Sequence, residues 1–99
     1  MSDIVEIRDL RNHDRQEVTL RGWLYGKRTG GKVAFLLVRD GTGTCQCVVE
    51  ARQEAFFKDA LAAGQESSLV LSGTVRLDER APGGCEIAVT RLRILQAVE

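Results

Sequence analysis

The chain has 99 residues, 43% of them apolar and 28% charged, the composition of one small globular domain rather than of a disordered chain. Fourteen Lys and Arg balance fourteen Asp and Glu, so a whole-surface electrostatic grip on nucleic acid is not indicated and any basic footprint must be local. No apolar run reaches the length of a membrane span, the start MSDIVEIRDL lacks a signal pattern, and three cysteines with one histidine supply neither a disulfide framework nor a zinc set.

Residues 3–12 place Ile4, Val5, Ile7 and Leu10 among charges, which suits a turn of helix or a loose lead-in equally. Asn12-His13-Asp14 reads as a polar break, with His13 a solvent-exposed turn residue. From Glu17 to Gly26, Val18, Leu20 and Leu24 alternate with Thr19, Arg21 and Tyr25, the period of a half-buried strand. Gly22 interrupts it, as a bulge or sharp bend would, and leaves the facing of Trp23 open. Lys27–Lys32, KRTGGK, reads as a turn.

Two further strands, Val33–Arg39 and Thr44–Val49, flank the Gly-rich turn Asp40-Gly41-Thr42-Gly43. Only one facing keeps both Arg39 and Gln46 out of the core. It turns Ala34, Leu36, Val38, Cys45, Cys47 and Val49 inward and leaves Phe35 outward by geometry. The three cysteines then read as small apolar residues of a chain kept in a reducing cytosol. Arg21, Lys27, Arg28, Lys32 and Arg39 form either a solvated strand face or the rim of a phosphate-binding groove.

Arg52–Gly64 reads as one short amphipathic helix with Gly64 at its C-terminal cap, followed by a loop over 65–68. A fourth strand, Leu69–Leu77, puts Leu69, Leu71, Gly73, Val75 and Leu77 on one face. Asp78–Gly84 is a long turn. A fifth strand starts at Cys85, bends near Thr90-Arg91, and resumes with Leu92 and Ile94. Three strands, a helix and two strands bury their inward residues best as an all-β, five-stranded Greek-key barrel of the OB-fold type, with the helix between strands three and four plugging one end. An open α+β sheet is the alternative.

Few motifs compete for a function. Gly26–Val33, GKRTGGKV, nearly spells a phosphate-binding loop, but Val33 lacks the hydroxyl for magnesium and a strand follows where a helix is required. Catalytic clusters are missing, and Asp78-Glu79 fits a solvated turn. Phe35 and Gln46 stand out instead. An outward ring on a strand can stack on a base, and a glutamine amide can read an edge that presents both donor and acceptor. The structural alternative packs Phe35 against the first strand or a neighbouring domain and leaves Gln46 in water.

RGWLYGKR at 21–28, VAFLLVRDGTG at 33–43, CQCVV at 45–49, ESS with a G-x-V strand at 66–75, and RAPGGCEIAVTRL at 80–92 closely resemble the N-terminal anticodon-binding domain of the asparaginyl-tRNA synthetases. The aspartyl enzymes carry a similar domain. The resemblance runs from about residue 4 to residue 95 and implies a five-stranded OB barrel that grips a tRNA anticodon loop, so residues 1–99 are expected to form one such domain, without metal or cofactor. It implies that Phe35 stacks on the central anticodon base, a uridine, and that Gln46 hydrogen-bonds its edge. Arg28 matches a basic position beside the anticodon phosphates and bases, and Glu86 an acidic position near the third base. Gly26 stands where aspartyl relatives carry another Arg, which thins the basic rim. The family's catalytic domain follows this point, so the expectation is a cytoplasmic, non-catalytic module, either excised or free-standing. Its protein partner would be the parent's catalytic domain or a second copy. A sequence-tolerant single-strand binder and a structural assembly module are the competing readings.

Overall fold

The structure, a computed structural model, describes residues 4–96. After a 3-10 helix at Ile7–His13 the chain forms β1 (Glu17–Gly30), β2 (Val33–Arg39) and β3 (Thr44–Glu50), then helix α1 (Glu54–Ala62), β4 (Ser68–Leu77) and β5 (Cys85–Gln96). The strands close in the order β1-β2-β3-β5-β4, and β4 returns to pair with β1. Of these strand pairs only β3–β5 is parallel, and an isolated parallel bridge joins Ile4 to Thr19 of β1. This is the five-stranded OB barrel with its helix between strands three and four, and the open-sheet alternative is excluded by the β1–β4 ladder.

Alternation builds the core. Ala34, Leu36, Val38, Cys45, Cys47 and Val49 all point inward and are at most 1% exposed, packed with Leu20, Leu24, Leu69, Leu71 and Ile87. Two glycines let the strands close on each other. A Cβ at Gly22 would stand 2.2 Å from the Arg39 carbonyl oxygen, and one at Gly73 would stand 2.3 Å from that of Ala88. Gly22 therefore serves close approach rather than a bulge. The register skip of β1 lies at Tyr25, between Leu24 and Gly26. With Gly22 and Leu24 buried, Trp23 points outward. The bend expected in β5 is a skip at Thr90 opposite the Ser72–Gly73 step.

Several local expectations give way to pairing. Lys27–Gly30 belongs to β1, because its ladder with β2 runs on to Gly30↔Val33, and the chain turns at Gly31, where φ is +44°. Asn12 and His13 lie inside the 3-10 helix rather than in a break, and His13 Nδ1 is 2.9 Å from Gln16 Oε1. Leu77, placed on the inward face by alternation, is 53% exposed because it lies at the last step of β4. α1 ends at Ala62 and is capped by Ala63, whose backbone is extended and whose N–H donates to the Asp59 carbonyl, so Gly64 is not a left-handed cap. The helix end is closed from the side instead. The Lys27 ammonium donates to the carbonyls of Leu61 and Ala63, the latter at 2.9 Å, which places a cation at the negative end of the helix dipole.

The turn after β2 is held by Asp40. Its carboxylate accepts from the Ile7 N–H at 2.8 Å and from the Thr42 N–H and hydroxyl at 2.9 and 2.7 Å. Burial pushes the Asp40 carboxyl up, but these bonds and one from Gly43 outweigh it and leave the group below its ordinary value.

Candidate nucleic-acid interface

The outward side chains of the barrel wall form two adjacent cross-strand rows. One runs Arg28, Phe35, Val48, Ala88 and Thr74, and the next runs Gly26, Leu37, Gln46, Glu86 and Arg76. Phe35 and Gln46 are thus diagonal neighbours across the β2–β3 ladder, a separation that aromatic and long side chains bridge. Together with Gly26, Arg28 and Leu37 they line one shallow depression of about 220 Å³. Its floor stays low at Gly26, where an added Cβ would meet only Leu37 Cβ at 3.9 Å.

Two contacts organise the depression. The Arg28 guanidinium lies over the Phe35 ring, 4.8 Å from its centroid. On the other side, Gln46 Nε2 donates to Glu86 Oε2 at 3.2 Å, and the second Glu86 oxygen takes Arg76 Nη2 at 2.9 Å. The Glu86 side chain is only 15% exposed, whereas Arg76 is 52% exposed. All four residues singled out in the sequence, Arg28, Phe35, Gln46 and Glu86, therefore share one wall and meet as two touching pairs.

Arg76 completes the second pair and was missed. Alternation along β4 puts it outward, but only the parallel β3–β5 register brings it into line with Gln46 through Glu86.

The basic run of 21–39 divides by role. Lys27 is committed to the end of α1. Arg39 holds both oxygens of Glu66, at 2.9 and 2.7 Å, and lies 5.4 Å from the Tyr25 ring centroid. Arg28 remains on the face with Phe35. The cysteines offer no competing chemistry: all three are free and buried, and the contact with Cys45 together with burial holds the Cys47 thiol well above its ordinary value. What the wall presents is a ring, a cation above it and an amide with a donor and an acceptor, a set suited to an unstacked base.

Residues 18–95 match the tRNA anticodon family, described as an OB-fold nucleic acid binding domain. The asparagine–tRNA ligase of Pelotomaculum thermopropionicum is 55% identical over 97 residues, covering 96% of this chain and 23% of that protein. The asparaginyl-tRNA synthetase of Pyrococcus horikoshii, solved with asparaginyl-adenylate, superposes with a TM-score of 0.90 at 41% identity over 96% of this chain and 23% of its own. The aspartyl-tRNA synthetase of Entamoeba histolytica gives 0.84 at 25% identity, over 97% of this chain and 22% of its own. The chain thus spans less than a quarter of the length of these relatives. It belongs to the tRNA anticodon family of OB-fold nucleic acid binding domains, with asparaginyl-tRNA synthetases among its relatives.

Proposed function

We propose that the domain recognises the anticodon loop of a tRNA, with the central anticodon base, a uridine, stacked on Phe35 and read by Gln46. The observation that carries this reading is the diagonal placement of Phe35 and Gln46 in one depression, roofed by Arg28. Base–aromatic stacking is worth about 1–3 kcal/mol per base. The base enters between ring and guanidinium or takes the place of the guanidinium, which is exposed and turns to the neighbouring phosphate. Glu86 then lies toward the third base. In this reading the domain is the tRNA-selecting part of an asparaginyl-tRNA synthetase-like protein of the cytoplasm, and the charging reaction belongs to a separate catalytic domain.

Titration with anticodon stem-loops carrying a central uridine or a central cytidine tests it. Tighter binding of the uridine loop is expected. Equal affinities would assign the wall to sequence-tolerant single-strand binding, and no binding to either would make Phe35 an interface residue between proteins.

A further inference from the structure

We infer that Glu86, held by Arg76, locks the Gln46 side-chain amide in one orientation, and that this lock makes the wall prefer uracil over cytosine at the central position. The inference rests on the uridine reading above and adds to it the residues that decide the base.

The three side chains occupy one cross-strand row, Gln46 on β3, Glu86 on β5 and Arg76 on β4, at successive contacts of 3.2 and 2.9 Å. A carboxylate only accepts hydrogen bonds. The end of the Gln46 amide that faces Glu86 must therefore be the NH2 end. Turning the amide over would set two oxygens against each other beside a mostly buried carboxylate.

With one Nε2 hydrogen committed to Glu86, the amide shows the depression a single arrangement: Oε1 to accept and the second Nε2 hydrogen to donate. Uracil presents N3–H flanked by carbonyl oxygens, which matches an adjacent acceptor and donor. Cytosine presents an unprotonated N3 beside an amino group, the reverse order, and fits the same pose only if the amide turns over. A free glutamine turns over at little cost and would serve both bases. Arg76 contributes by engaging the other Glu86 oxygen, which fixes where the carboxylate points.

Glu86 and Arg76 are positioning residues in this scheme, so the readout is the ratio of affinities for the uridine and cytidine stem-loops. Wild type is expected to favour uridine by about tenfold or more. Glu86→Gln, which keeps the shape but can donate as well as accept, is expected to gain affinity for the cytidine loop and bring the ratio within about threefold. Arg76→Gln, a change at an exposed side chain, narrows the ratio partway. Glu86→Asp keeps an acceptor-only group and stays nearer to wild type than Glu86→Gln. Repeating the titrations with a different third base leaves these shifts in place, which separates the lock from a direct contact between Glu86 and that base. A Glu86→Gln domain that is folded and weakens both loops equally, with the ratio unchanged, overturns the lock while the uridine reading stands. A wild type without preference removes the uridine reading itself and the lock with it.

Discussion

Two arginines on the same barrel wall lie over aromatic rings, and only one of them is tied down. Arg39 lies 5.4 Å from the Tyr25 centroid and is clamped through both Glu66 oxygens. Arg28 lies 4.8 Å from the Phe35 centroid, and among the described residues no carboxylate pairs with it. The same arginine-over-ring pattern is thus a brace in one place and an open roof in the other. A third residue, the carboxylate, makes the difference. The cation of a brace cannot leave its ring without losing an ion pair, whereas the cation over Phe35 can yield to a base.

The largest effects that separate the two pairs come from removing the rings. Phe35→Ala is expected to weaken binding of the uridine stem-loop by about 1–3 kcal/mol while the barrel stays folded, since the ring lies on the outer wall. A melting temperature that collapses in this variant would place Phe35 in the core. Tyr25→Ala is expected to do the opposite, costing about 0.5–1 kcal/mol of stability through the lost cation–π contact and leaving loop affinity unchanged in the same titration.

The cations give the next effects. Arg28→Gln should make the dependence of log affinity on log salt shallower by about 0.7, the contribution of one single-strand phosphate contact, measured by titration at several salt concentrations. Glu66→Gln, which releases Arg39 beside Tyr25 and away from the Phe35 depression, should leave that slope unchanged, at a stability cost of about 0.2–1 kcal/mol for the exposed pair. Lys27→Met is expected to lose a comparable amount, about 0.3–1 kcal/mol in thermal stability at the end of α1, with no change in the salt slope. Lys27 and Arg28 are adjacent in sequence, so this pair of variants isolates facing from charge.

The sequence carries the phase of β2 and β3 because Arg39 and Gln46, one on each strand, could not both be buried. That single constraint sets the facing of Phe35 and of six inward residues. The barrel itself is legible in the order of elements and in Gly22 and Gly73, whose missing side chains turn out to admit the carbonyls of Arg39 and Ala88. What stays hidden depends on partners far along the chain. Lys27 looks like part of a basic rim until the helix end 34–36 residues away is folded against it, and Arg39 until Glu66 arrives from 27 residues downstream. Arg76 is invisible for the same reason, since its place beside Gln46 depends on a parallel strand pair whose register no local pattern encodes. The glycines of KRTGGK mimic a longer turn because propensity is local, while the β1–β2 ladder extends as far as Gly30, the first of them.

On the barrel wall the anticodon loop is expected at the depression around Phe35 and not beside Tyr25. Titrating one uridine stem-loop into wild type, Phe35→Ala and Tyr25→Ala at the same salt tests it most directly. The expected result is a loss for Phe35→Ala of at least about fivefold, the lower end of the stacking range, and wild-type affinity for Tyr25→Ala. Equal affinities for all three, or a loss confined to Tyr25→Ala, would contradict it.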